Sequence, residues 1–440
     1  MVTTLKKVSP AVLRSLSVVS LHKAAQIAGL GIAATLTPRL FGAEDYGRFA
    51  FVLSLSYLGQ ILGDFGTLDV MGRFVPGLPA AESGRLYMRT LAFKGVAGVL
   101  AGLVTAAATL ALAAWMRPAW ALLAGLGVAL HIMAWTPFQL ALGLNRVGVW
   151  MAEQSWRQWI LLGLLLVLLP WLGLTGALLA LVSMEALFCL LGLWWVRDYW
   201  QWPQLRWDWA YLQPYLRVGA GFFLANLATV ALYRSGPALV EILTRQPAQA
   251  GYFNLALGLF LLVYVTLSQF AQSLIPTLSG FWVQGQTEQM RVWLHNFVRY
   301  SWLLAWLGTL AVWLAADWTT PLAFGLDFSP AAAALKWISL GMPPAALLWA
   351  GSAVVTVTGR GRLKFGASLA ALLIFGALAA WLIPGYGATG AAIALSVAVA
   401  INAAGLTLWL PPDFSLPWPL LLASTLAGIA GLLVIMNFGP

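Results

Sequence analysis

The sequence predicts an all-α polytopic membrane protein: two six-helix lobes in parallel repeat, followed by one extra C-terminal span. Three observations predict it. Of 440 residues, 61% are hydrophobic and only 9% are charged, whereas a soluble domain carries about 25% charged residues. No layering of soluble elements buries so much apolar surface. Twenty-four tryptophans suit a chain with two membrane–water interfaces, where amphipathic rings gather. Finally, one phrase occurs twice: PWLGLTGALLAL from Pro170 and PGYGATGAAIAL from Pro384.

A span needs about 20 mostly apolar residues. Such runs fall at 13–37, 46–72, 87–115, 119–144, 150–170, 173–196, 213–236, 249–278, 291–316, 331–357, 363–383, 388–410 and 416–436. The first resembles a signal peptide, with Lys6 and Lys7 before an apolar stretch. Arg14, His22 and Lys23 interrupt that stretch and no clean cleavage site follows, so it is read as a retained first helix. Lysines and arginines near span ends set orientation. With a cytoplasmic N-terminus, seventeen of them fall on the inner side, Lys94 among these, against five outside.

The repeated phrase fits P-x-x-G-x-T-G-A-x-x-A-L in both copies, 214 positions apart. Each copy is the short outer turn between two spans, 5–6 and then 11–12. Six spans separate them, so both copies cross in the same direction, which is a parallel repeat. Asn145-Arg146 and Gly359-Arg360 share the same offset. The expected division is a lobe over 1–200, a lobe over 201–410 and an extra segment over 411–440. Two such lobes imply a cleft used for alternating access.

Several classes are excluded. The net charge of +10 is spread in twos and threes between apolar runs, so no nucleic-acid patch forms. The single cysteine, Cys189, rules out a disulfide framework. His22, His131 and His295 lack metal-ligand spacing, and no G-x-x-x-x-G-K-[ST] loop is present. The longest gap between spans, about 16 residues at 197–212, is too short for a catalytic domain. Neither an enzyme nor a metal protein is expected.

The stretch PRLFGAEDYGRFAFVLSL (Pro38 to Leu55) resembles the opening of Wzx-type polysaccharide flippases. Their Leu-Phe-Gly-x-x-x-Tyr-Gly-x-Phe turn is matched here by Leu40, Phe41, Gly42, Tyr46, Gly47 and Phe49. RFVP (Arg73 to Pro76), PLAFGLDFSPAAAALKWISLG (Pro321 to Gly341) and VTGRGRLKF (Val357 to Phe365) also fit. The superfamily includes multidrug-and-toxin extrusion transporters and the lipid II flippase. The resemblance implies translocation of an undecaprenyl-diphosphate-linked oligosaccharide from the cytoplasmic to the outer leaflet of a bacterial or archaeal inner membrane. It also implies a proton or sodium gradient as the drive, no other cofactor, membrane lipids as partners, and polymerase and export proteins nearby. A single chain holds both lobes, so a monomer is expected to suffice. An ion-coupled small-molecule antiporter and a lipid II flippase are the alternatives.

Carrying a diphosphate and sugars through hydrocarbon requires cations and polar groups in a wet cavity. Lys23 and Asp64 lie within spans at similar depth, in reach of one another. They are read as a cavity cation with an ion-coupling acid, or as a structural pair. Arg14 and Arg217 sit near the inner ends of spans 1 and 7, and Arg48 and Arg234 near outer ends, as candidate diphosphate ligands or snorkelling arginines. Asn226, Gln269 and Gln272 are deep amides for sugar hydroxyls or for helix packing. Glu153 and Arg157 read as a local helix pair, and Glu185 and Lys336 as isolated charges.

Overall fold

A computed structural model describes residues 10–408 and 418–438; the side chains of 10–19, 221, 222, 273, 276, 418–420 and 433–438 are outside that description. The described secondary structure is helical: α1 (Pro10–Phe41), α2 (Ala43–Asp64), α3 (Thr67–Phe74), α4 (Ala80–Leu112), α5 (Pro118–Gly143), α6 (Val147–Trp195), α7 (Trp209–Arg234), α8 (Gly236–Thr244), α9 (Pro247–Val283), α10 (Thr287–Phe324), α11 (Ala331–Ser339), α12 (Met342–Val357), α13 (Gly361–Thr407) and α14 (Trp418–Phe438). Six of these are long and apolar enough to cross a membrane alone, and three bent pairs bring the number to nine.

The two longest helices each contain two spans. α6 has 49 residues, about 74 Å if straight, more than twice a hydrocarbon core of about 30 Å. It reverses at Gly173 (φ 55°, ψ −138°). α13 reverses at Gly387 (φ 53°, ψ −129°). Only glycine takes this conformation without strain. The glycine three positions later in each phrase has a different task. A Cβ on Gly176 would strike the Leu168 carbonyl, and one on Gly390 would strike the Leu382 carbonyl. The repeated phrase therefore encodes the same turn and the same close return of the chain in both places. The second repeat element behaves alike. Asn145 (φ 59°) and Gly359 (φ 71°) both take left-handed backbone. The following amides close the same turn, Arg146 N–H to the Ala141 carbonyl at 2.8 Å and Arg360 N–H to Val355 at 2.9 Å.

The chain forms two compact units, one of residues 1–33 with 55–223, the other of 34–54 with 224–440. This division differs from a cut at residue 200: segment 34–54 packs with the later chain, and 201–223 with the earlier. In the first unit, α4 and α5 touch backbone to backbone at Gly102 and Gly125, where a Cβ on either would meet the other's carbonyl oxygen. Such small-residue contacts suit a membrane, where van der Waals packing rather than water exclusion holds helices together. In the second unit, Phe253, Phe260 and Phe375 pack with the alanines of α13. Gly47 of α2 sits against α9 so closely that a Cβ would strike the Pro247 carbonyl. Arg39 donates to the Leu322 carbonyl at 2.6 Å, and the Ser54 hydroxyl donates to the Arg234 carbonyl.

Candidate functional site

In the first unit a helix breaks where its charges are. α2 ends at Asp64, and α3 begins at Thr67 after a 44° bend. Between them Phe65 (φ 50°) and Gly66 (φ 70°) both take left-handed backbone. For Phe65 that conformation costs about 1–2 kcal/mol, so surrounding contacts must hold it. Asp64 Oδ1 accepts from Lys94 Nζ at 2.8 Å, Gln139 Nε2 at 2.9 Å and the Thr67 hydroxyl at 3.1 Å. Lys94 also donates to Gln139 Oε1 at 3.2 Å. The Lys94 side chain is 1% exposed and that of Asp64 15%.

This corrects the expected pairing. Asp64 pairs with Lys94, not with Lys23, which is half-buried in α1 and makes no ion pair among the described residues. Lys94 was read as a charge flanking a span that starts near 87. The helix starts at Ala80, which puts Lys94 about 21 Å inside it. The amphipathic run with Arg85 and Arg89 concealed that earlier start.

A second break adjoins the first within this unit. α7 bends by 55° between Ala220 and Phe223. A Cβ on Gly66 would strike the Gly219 carbonyl, and one on Gly219 would lie 3.0 Å from the carbonyl oxygens of Phe65 and Gly66. The Phe65 ring stacks on Phe223 at 5.6 Å and meets Phe93 edge-on at 5.3 Å. Phe93 in turn meets Trp207 at 5.4 Å and Trp209 at 6.4 Å. Phe65, Trp207 and Trp209 are 41%, 51% and 50% exposed, while Phe93 between them is buried, so the outer rings of the row present open faces. Arg89 fastens the row's far end: it pairs with Asp208 at 2.8 Å, donates to Gln204 at 3.1 Å, and lies 4.2 Å over the Tyr211 ring.

The unit contains a second buried ionic cluster. Arg157 of α6 pairs with Glu153 one turn earlier and with Glu185 on the returning leg of the same helix. Its Nη2 donates to Glu185 Oε2 at 3.0 Å. His131 of α5 brings Nδ1 to 3.1 and 3.3 Å from the two Glu185 oxygens. The side chains of Glu153 and Glu185 are 1% and 4% exposed. The expected Glu153–Arg157 pair is present, but Glu185 is not isolated. Lys336 is not isolated either, since it pairs with Asp317.

Arg14 lies in α1, its side chain outside the described ones. Arg217 is exposed on the first leg of α7, and Asn226 on the second. Arg234 ends α7, half-buried. Gln269 is half-buried and Gln272 exposed on α9. Arg48 pairs with Glu44 and, at 2.9 Å, with Asp45. These three line a cavity of about 470 Å³ with Tyr252 and Asp327. With three carboxylates to one guanidinium, this cavity disfavours an anion.

Discontinuous apolar helices that place half-helix ends within the membrane are a construction of secondary transporters. The family described as "Polysaccharide biosynthesis protein" matches residues 12–282, more than half of the chain, and the chain belongs to that family. No curated protein matches the sequence. Among solved structures, the fold is similar to "Lipid II flippase MurJ, inward closed conformation", at TM-score 0.78 and 14% identity, over 95% of this chain and 92% of that one. It is also similar to an inward-facing multidrug resistance MATE family transporter of the MOP superfamily, at TM-score 0.66 and 14% identity over 96% of both chains. The Vibrio cholerae MATE transporter VcmN in the bent form matches at TM-score 0.58 and 13% identity, over 95% and 98%. At these identities the likeness is one of fold.

Proposed function

We propose that the protein is a flippase that moves an undecaprenyl-diphosphate-linked oligosaccharide from the cytoplasmic to the outer leaflet by alternating access. It works in the inner membrane of a bacterium or archaeon, with its N-terminus in the cytoplasm. Family membership supports polysaccharide synthesis as the context. The observation that carries the reading is the pair of exposed rings Trp207 and Phe65, bridged by the buried Phe93 and ending at the junction of two broken helices. Sugar rings present apolar C–H faces that lie flat on aromatic rings, whose bodies are apolar and whose edges are polarised. Half-helix ends beside them supply oriented backbone dipoles for polar groups.

In this reading Lys23, Arg217 and Arg14 meet the diphosphate, while Asn226, Gln269 and Gln272 serve sugar hydroxyls. Arg48 and Arg234 act at the outer side, where Arg48 is already offset by its acidic neighbours. The chain works as a monomer alongside the polymerase and export proteins that use its product. The lipid II flippase and drug antiporter readings share the fold, but a cation-selective drug site has no use for these cations.

The test is exposure of a lipid-linked oligosaccharide, loaded on one leaflet of proteoliposomes, to an impermeant lectin on the other. Exposure that Trp207→Ala with Phe65→Ala slows by about tenfold or more, the loss of about 1.4 kcal/mol, supports the reading. Uptake of cationic drugs without any such exposure replaces it with the antiporter.

A further inference from the structure

We propose that His131, Glu153, Arg157 and Glu185 form a proton-binding site, and that uptake and release of its proton drive the flipping cycle. Only the coupling to flipping rests on the function proposed above; the proton site stands on the cluster itself.

Depth comes first. His131 lies 12 residues from the Gly143 end of α5 and Glu185 10 residues from the Trp195 end of α6. At 1.5 Å per residue these are about 18 and 15 Å, near the middle of a hydrocarbon core of about 30 Å. Both carboxylates are almost fully buried. A net charge held there without compensation is expensive.

Two carboxylates against one guanidinium leave −1 when the imidazole is neutral. One added proton brings the set to zero. The Nδ1 of His131 faces both oxygens of Glu185, which also accept from Arg157. A carboxylate so surrounded by donors is held as an acceptor, so Nδ1 carries a hydrogen and donates it. The lone pair on Nε2 remains to form one N–H bond with a proton from water, and that bond breaks on release. Nothing else is oxidised, reduced or transferred.

Among the described residues, no cation other than Arg157 and His131 pairs with either glutamate. On α1, His22 is engaged through Nδ1 with the Ser155 hydroxyl at 2.9 Å, and that hydroxyl donates to the Met151 carbonyl at 2.6 Å. Cys189 on α6, one turn past Glu185, and Tyr87 on α4 are a thiol and a phenol, which are neutral in their ordinary forms near pH 7. The set therefore holds one proton while sealed from water and yields it when a change of conformation admits water.

The full-length protein, with isotope-labelled histidine and in nanodiscs, is stepped between about pH 5 and about pH 9, the range in which imidazoles titrate. Infrared difference spectra then follow the imidazole ring bands. The expected result is one titrating set that disappears in His131→Asn and moves to lower pH in Glu153→Gln, where a neutral imidazole already balances the set. Glu185→Gln has the same charge arithmetic and serves if Glu153→Gln does not fold. A His131 signal absent from the wild type, or unmoved in either glutamine variant, overturns the site. In proteoliposomes a pH gradient is expected to accelerate oligosaccharide exposure, and Glu153→Gln to lose that acceleration. Acceleration that survives in Glu153→Gln overturns the coupling. A wild type that exposes no oligosaccharide, yet shows the spectral titration, refutes the flippase reading while the proton site stands.

Discussion

The two buried ionic clusters of the first unit differ in one count. Asp64 meets one cation, Lys94, and its remaining donors are the neutral Gln139 and Thr67. Glu153 and Glu185 share one guanidinium and an imidazole. The first set is neutral as it stands and has every reason to remain ionised. The second reaches neutrality only by holding a proton. Two clusters of similar burial thus have different uses: a balanced pair that fixes the break between α2 and α3, and an unbalanced set that exchanges with water. A charge in low dielectric costs less to leave paired than to separate, so the identity of the odd group decides which cluster can move.

Substitutions distinguish the two clusters. The largest effect is expected from Arg157→Ala, which strands two carboxylates. Removing one partner of a buried pair costs about 3–5 kcal/mol, and this change removes the cation of two, so membrane abundance and thermal midpoint should fall most here. Next comes Lys94→Met, at about 3 kcal/mol, since Asp64 retains Gln139 and Thr67. Adding Asp64→Asn should restore most of that loss, as replacing both partners of a pair often does. That double variant should also keep the gradient dependence of oligosaccharide exposure; if the dependence vanishes, the coupling belongs to Asp64. Glu153→Gln should be close to the wild type in thermal midpoint, within about 1 kcal/mol, while losing the pH-gradient effect. The smallest change is expected from Lys336→Ala, whose partner Asp317 is 61% exposed, within about 1 kcal/mol. A larger loss there would mean that burial does not rank these pairs.

Much of the fold was legible. Composition alone forces a membrane protein, and the phrase at Pro170 and Pro384 forecast a turn that both copies make at Gly173 and Gly387. Turns are legible because glycine and proline act locally. The ionic partners were not. His131 and Glu185 are 54 positions apart, and Asp64 and Lys94 are 30 apart, so only the packing of different helices brings them together. Arg157 was legible toward Glu153, four positions away on one helix, and illegible toward Glu185. The break at Phe65 was hidden for another reason. A phenylalanine in left-handed backbone runs against its own preference, and it is held by Phe93 and Phe223, which lie far along the chain.

Segment 34–54 packs with residues that follow 224 rather than with its immediate neighbours. A ribosome adds about 5–20 residues per second. The segment therefore waits roughly 10–40 s for its partners, while the intervening chain is made. During that interval the Gly47 surface and the Ser54 hydroxyl have no Pro247 carbonyl or Arg234 carbonyl to meet. The second unit cannot begin to close on this segment until the intervening residues 55–223 have been made. Birth order and neighbourhood are thus uncoupled in this protein: the early segment 34–54 waits for a unit whose other members follow residue 223.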